Sequence, residues 1–542
     1  MLRYYVSLLL FLNDTPTTDI YTRSLHDALP IFFADFSAAL EVKPALKAAE
    51  VDFSAVIALV QEERAARENM SKEEKKELAA WRKAKREELK ELYGHAIADG
   101  ERIELANYIV EPSGIFMGRG KHPLRGRWKE GAAQSDITLN LSPDAEKPEG
   151  NWKEIVWQPE SLWVAKWLDK LTDKLKYIWL HDTAPIKQER EAQKFDKAIE
   201  LAARIEQVRE YLGKGMVHKD FKTRKVATAC YLIDALCLRV GDEKDPDEAD
   251  TVGATTLRPE HVKLFEDGSA EFRFLGKDSV LWHKKLQLTA LASKNMQELI
   301  ANARPSNSNK KHPAWNKPQL FPDVSSRDVN AFLGEMLPGL TAKVFRTFHA
   351  STAVQKSLDS SGVVRQDPEY VKWEATVKAN MEADILCNHT KKAPANWDKR
   401  KDNFKKREES IQKSIKTLVE KIKQETARLP KLKDEMRARR QKAKNKEQKE
   451  KIKSGYEKKI QAAQTGLTRL KDREEKLRMS LGKLKAQIAI ASKNRTWNLG
   501  TSQKSYIDPR VLHNWGVQVD YDVIRKYYSS TMRRKFMCVK AT

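Results

Sequence analysis

The stretch LGTSQKSYIDPR, residues 499–510, places Tyr506 shortly after a glycine–threonine–serine turn. A tyrosine in that setting is ordinarily one more aromatic packed at the start of a small domain. Taken alone, the segment does not say whether Tyr506 is a nucleophile. Its meaning depends on what precedes it: a hundred residues patterned in sevens, and ahead of them several short segments that each carry one basic or imidazole side chain.

The pattern in sevens is explicit. Phe404, Ile411 and Leu418 step by seven, as do Ile415, Ile422, Leu429 and Met436. Further on, Leu470, Leu477 and Leu484, with Leu467, Leu481 and Ile488, keep to multiples of seven. The positions between are mainly Lys, Glu, Arg and Gln. Two heptad arms joined by a polar stretch around Gln441–Gly455 describe an antiparallel helical hairpin over 394–492. Pro430 is expected to kink or interrupt the first arm, since it lacks an N–H. The last fifty residues, 493–542, read as a small helical domain.

Ahead of the hairpin the pattern changes several times. From Phe33 to about Glu91 apolar residues recur at helical spacing, and a charged helix ends at Gly94. Short strands are expected between Ile103 and Trp179, in IELANYIV (103–110), DITLNL (136–141) and KEIVWQ (153–158). Helices return from about Glu189 to Val240. A hairpin over EFRFLGKDSVLWHK (271–284) follows, then helices from Ser293 to Cys387.

A chain of 542 residues has room for two to four domains. Its formal net charge of +24 points to a polyanionic partner, most simply nucleic acid. After the first few dozen residues no apolar run approaches the roughly 18 needed to cross a bilayer. Cys230, Cys237, Cys387 and Cys538 form no metal-spaced pair, so reduced thiols and no structural zinc are expected. The start, MLRYYVSLLLFL, has the look of a weak signal peptide. The next segment, NDTPTTDIYTRSLHDALPI (13–31), resembles the translation of a common short-read sequencing adapter, departing from it at Pro16, Asp19 and Arg23. Residues 1–32 are therefore expected to be an artefact rather than native sequence.

Four segments carry candidate chemistry. Arg239 follows an apolar run in CLRVGDEKDPDEADTVGATTLR, and Lys277 lies at a glycine turn in FLGKDS. Arg346 lies near a helix start in GLTAKVFRTFHAS, and His389 just past a helix end in ILCNHTKKAP. Each has an ordinary explanation: a salt-bridging arginine, a solvated hairpin lysine, a hydrogen-bonded histidine.

In this order, from about Met70 to about Lys535, the segments resemble the eukaryotic-type DNA topoisomerases of class IB. The resemblance implies an α+β multidomain DNA clamp. A mixed α/β DNA-binding cap would cover 33–185. A mainly α catalytic core of the tyrosine recombinase and topoisomerase type would cover 186–393, followed by the coiled-coil linker and the C-terminal domain. Carried over residue by residue, the family's nucleophile falls on Tyr506, its arginines on Arg239 and Arg346, its general acid on Lys277 and its histidine on His389. DNA contacts fall on Arg119, Lys121 and His122 of EPSGIFMGRGKHP, on Asp278, and on Thr501 and Ser502. The implied partner is double-stranded DNA, bound by a monomer, without metal, ATP or other cofactor.

The sequence departs from the family in places. Ser505 stands where the family usually has asparagine, and Asp242 also replaces an asparagine, bringing negative charge near a phosphate site. The strand-rich start of the cap, ahead of the helices near Phe33, has no counterpart, and the tail MRRKFMCVKAT differs from the usual ending. HPLRGRW (122–128) and the compact linker resemble archaeal members, which implies a prokaryotic nucleoid rather than a nucleus. Two other readings remain: a tyrosine recombinase or integrase, which the long linker and GRGKHP segment oppose, and an inactive DNA-binding fragment.

Overall fold

The computed structural model describes residues 33–536, apart from 117–123, 243–249, 307–315 and scattered positions between 36 and 53. The adapter-like stretch, the tail beyond Phe536 and the candidates Arg119, Lys121 and His122 lie outside the described residues. The chain forms two compact units. One holds the residues up to His349 and the segment from Ser529; the other holds Ala350–Tyr528.

The first unit opens with helices α1 (Ser54–Asn69) and α2 (Lys72–Tyr93). A capping box starts α2: the Glu74 amide donates to Ser71 Oγ, and the Ser71 amide donates back to the Glu74 carboxylate. Gly94 ends it. The expected strand 103–110 is shorter than its apolar pattern suggests. β1 (His95–Ala98) pairs with β2 (Glu101–Glu104), and beyond Leu105 the Asn107 side chain bonds both the amide and the carbonyl of Ile109. An Asx turn of this kind competes with ladder pairing.

β3 (Gly114–Ile115) and β4 (Trp128–Lys129) form a small ribbon. A four-stranded sheet follows, built from β5 (Thr138–Asn140), β6 (Glu154–Val156), β7 (Trp163–Leu168) and β8 (Leu175–Trp179) in the order β6-β5-β7-β8. Ile137, Leu139, Ala165, Trp167 and Ile178 pack its core.

The larger core of this unit is mainly helical. It comprises α3 (Pro185–Met216), α4 (Phe221–Leu236), the sheet β9 (Val262–Leu264), β10 (Ser269–Gly276) and β11 (Val280–Gln287), then α5 (Ala290–Ala301) and α6 (Ser326–Met336). The fully buried Leu201, Leu232, Phe272, Met296, Phe321 and Phe345 hold it together, each worth about 1.5–3 kcal/mol of transfer free energy. Helix α7 (Ala342–Asp359) carries the chain into the second unit.

That unit contains α8 (Glu369–Cys387), the long helices α9 (Trp397–Lys442) and α10 (Lys446–Asn494), and short helices α11 (Leu499–Ser505), α12 (Pro509–Gln518) and α13 (Val523–Lys526). The connection between the long helices is tighter than the polar stretch at 441–455 suggests, because α10 already begins at Lys446. Tyr456, with Ile452 and Ile460, packs against Leu429, Leu432 and Met436 of α9. Tyr456 also donates its hydroxyl to Glu435 at 3.2 Å.

Pro430, expected to kink or interrupt the first arm, lies inside α9 without interrupting it. It is exposed, so water can reach the carbonyl it leaves unbonded, while Leu429 and Leu432 on either side are held by α10. Helix α14 (Ser530–Lys535) returns to the first unit, where Gln188 donates to the carbonyl of Lys535 at 2.6 Å. Among the described residues no helix is long and apolar enough to cross a membrane.

Candidate active site

Arg239, Lys277 and Arg346 belong to the first unit; His389 and Tyr506 belong to the second. Arg239 leaves α4 through Cys237, whose left-handed backbone (φ 53°) ends the helix. The loop is then tied to residues 253–255. The Arg239 carbonyl accepts from the Ala254 amide at 2.9 Å and that of Val240 from the Thr255 amide at 2.8 Å. Thr255 Oγ1 donates to the Gly241 carbonyl at 2.7 Å.

The two strands of this loop approach so closely that a Cβ on Gly253 would lie 2.5 Å from Gly241 Cα. Gly241 itself has φ 82°. Both positions therefore need glycine. Gly253→Ala is expected to cost about 1–3 kcal/mol and to loosen the Arg239 segment, read as a lower urea midpoint and faster amide exchange at residues 239–241.

Arg346, only 2 % exposed, donates from Nη1 to the Cys237 carbonyl at 2.5 Å. This is one of the carbonyls that the end of α4 leaves without an intrahelical partner. The bond holds the Arg346 guanidinium to the segment that carries Arg239. Lys277 is exposed in the turn Lys277–Ser279 that closes the β10–β11 hairpin. That hairpin is tied to the same loop, since the Val252 amide donates to the Leu275 carbonyl at 2.8 Å. Asp278 lies in the same turn. Asp242, expected to bring charge toward a phosphate, accepts instead from the Ser326 amide at 2.8 Å. There it meets the positive end of α6, which favours a carboxylate.

In the second unit, α8 ends at Asn388 in a left-handed conformation (φ 55°) and His389 follows. A short antiparallel bridge holds this end to the start of α11. The Asn498 amide donates to the His389 carbonyl and the Lys391 amide to that of Thr496, both at 2.8 Å. Tyr506 closes α11, its amide donating to Ser502. Its ring is 4 % exposed and stacks on His389 at 5.5 Å between centroids and 23° between planes. Ser351 Oγ donates to the Tyr506 carbonyl at 3.3 Å and accepts from the Asp508 amide at 3.0 Å, setting the backbone on which the tyrosine sits.

Thr501 is half-buried; Ser502, expected at the DNA, is completely buried. The Ser502 hydroxyl donates to Asp384 Oδ1 at 2.5 Å and lies 2.7 Å from His389 Nδ1. Asp384 was not singled out from the sequence. Its one signal there is an acidic side chain inside the run ANMEADILC, five residues before His389. It is fully buried, its Oδ1 lies 3.1 Å from His389 Nδ1, and burial pushes its carboxyl up to about 7 against the pull of Ser502.

Cys230, Cys237 and Cys387 are buried thiols outside any disulfide, and among the described residues no cluster of three His, Cys, Asp or Glu side chains could hold a metal ion.

Comparison with known proteins covers nearly the whole chain. Residues 18–180 match the family model for the DNA binding fragment of eukaryotic DNA topoisomerase I, and residues 183–426 that for its catalytic core. Residues 471–542 match a C-terminal topoisomerase domain. The first match begins within the adapter-like stretch and so lends no support to that reading.

DNA topoisomerase I, mitochondrial, of Homo sapiens is 32 % identical over 518 residues, covering 93 % of this chain and 79 % of the relative. DNA topoisomerase 1 of Xenopus laevis is 32 % identical over 497 residues, and that of Caenorhabditis elegans 32 % over 502. These matches cover 90 % of this chain in each case, but only 55 % and 56 % of the relatives, so the chain spans little more than half their length. The relatives are animal proteins and do not support the archaeal leaning. With the mitochondrial relative covered over more than three quarters of its length, the chain belongs to the eukaryotic DNA topoisomerase I family.

Proposed function

We propose that this protein relaxes supercoiled duplex DNA by cutting and resealing one strand, without ATP or metal. The observation that carries the reading is the stacked His389–Tyr506 pair, held by the bridge between the end of α8 and the start of α11. In this reading the Tyr506 oxygen attacks a phosphodiester. The hydroxyl gives up its proton to solvent, a bond from its oxygen to phosphorus forms, the bond to the 5′-oxygen breaks, and Lys277 gives the leaving oxygen a proton. Arg239 and Arg346 neutralise the charge gathering on the non-bridging oxygens, where planar guanidinium forks fit, and His389 donates a further hydrogen bond. The 3′-phosphotyrosine conserves the energy of the broken bond, so the freed strand can rotate and the 5′-hydroxyl can reseal it.

Residues 33–185 would form the DNA-binding cap, 186–393 the catalytic core, 394–492 the linker and 493–542 the C-terminal domain, together a clamp acting as a monomer. Arg119, Lys121, His122, Asp278 and Thr501 would contact the duplex, mostly at phosphates and with weak sequence preference. Ser502 would act from behind His389. Chromosomal DNA is the natural substrate, and the protein would be chromosome-associated.

The test is relaxation of a supercoiled plasmid in EDTA with no ATP. Complete relaxation is the expected result. Activity that requires a divalent metal or a nucleotide would overturn the mechanism.

A further inference from the structure

The tyrosine unit contains a buried carboxylate, Asp384, that takes no part in the proposed bond making and breaking. Asp384 is attached to His389 twice: its main-chain carbonyl accepts from the His389 amide at 2.9 Å, and its Oδ1 faces the ring nitrogen Nδ1. Ser502 completes a triangle, with its hydroxyl 2.5 Å from Asp384 Oδ1 and 2.7 Å from His389 Nδ1. A hydroxyl has one hydrogen, and while Asp384 is ionised it goes to the carboxylate. The contact between Ser502 Oγ and His389 Nδ1 is therefore a hydrogen bond only if Nδ1 carries a proton. In the proposed reaction the other ring nitrogen, Nε2, is the one that faces the phosphate.

A neutral imidazole protonated at Nδ1 has a lone pair on Nε2, which repels a phosphoryl oxygen. Only the imidazolium, with N–H at both positions, can donate there. An opposite charge about 3 Å away favours that charged form. We propose that Asp384 is a positioning residue that keeps His389 doubly protonated through Nδ1, so that Nε2 donates to the scissile phosphate. This rests on the functional reading above.

Three further observations support it. Asp384 Oδ2 is buried with no hydrogen-bond partner among the described residues, an arrangement that is costly for a purely structural carboxylate. Burial pushes the Asp384 carboxyl up to about 7, so a cation beside it is what favours its charged form. The positive charge of Lys391 favours the carboxylate, and the buried Tyr527 hydroxyl is pushed up partly by Asp384 itself.

Asp384→Asn removes the charge and nearly preserves the shape, and it is tested in the full-length chain labelled with ¹³C at histidine Cε1. His389→Gln identifies the resonance. The expected result is a fall of about one to three pH units in the His389 midpoint. The alkaline limb of the single-turnover cleavage rate should move to lower pH by the same amount, with DNA affinity unchanged. An unmoved midpoint overturns the proposal. If the variant does not fold, the parent decides. Nδ1 protonation with a midpoint above the ordinary value of about 6.5 supports the pairing; a lower midpoint overturns it. A parent chain that titrates as stated yet cuts no DNA overturns the proposed function and leaves the Asp384–His389 linkage standing.

Discussion

Tyr506→Phe is expected to abolish plasmid relaxation while leaving the fold and DNA binding unchanged. Phenylalanine keeps the ring that stacks on His389 and fills the same buried space, so only the hydroxyl is lost. Deleting a nucleophile elsewhere costs roughly 10⁴- to 10⁶-fold in rate, and a similar loss is expected here. The other tyrosines of the C-terminal helices cannot easily substitute. Burial pushes the hydroxyl of Tyr521 up to about 12, and raises those of Tyr527 and Tyr528 as well. A tyrosine that resists ionisation is a poor attacking group. The measurement is a covalent protein–DNA adduct on an end-labelled oligonucleotide, resolved on a denaturing gel. An adduct formed by the phenylalanine variant would show that Tyr506 is not the nucleophile.

The second large effect is expected at Arg346. Lysine there keeps a positive charge but offers an ammonium in place of a planar fork. A single nitrogen must then serve both the Cys237 carbonyl and a developing oxyanion. Arg346→Lys is expected to slow single-turnover cleavage by about 10²- to 10³-fold, as loss of one oxyanion donor does, with little change in DNA affinity. Arg346→Ala should also destabilise the first unit by roughly 1–3 kcal/mol, because the buried Cys237 carbonyl loses the hydrogen bond from Arg346. Circular dichroism melts of the two variants separate the effects. Equal rates for the lysine variant and the parent would remove Arg346 from the chemistry.

Much of the architecture was legible because its signals are local. The stop at Gly94 and the hairpin around Lys277 lie within a few residues of the structure they specify. The heptad leucines reveal the long helices for the same reason, since each turn repeats the same instruction. Where local signals competed, the reading was less accurate. The apolar pattern at 103–110 overran the turn made by Asn107, and Pro430 suggested a break that packing on both sides prevents.

The sequence by itself determined which side chains are candidates for the chemistry: Arg239, Lys277, Arg346, His389 and Tyr506, in that order, with a heptad linker before the last. Only the tertiary structure decided what holds them. Ser502 and Asp384 are 118 residues apart, yet one hydrogen bond joins them. Asp242 caps a helix that begins 84 residues later. Neither partner is recognisable beforehand, because a buried carboxylate or hydroxyl takes its role from whatever packing brings within about 3 Å.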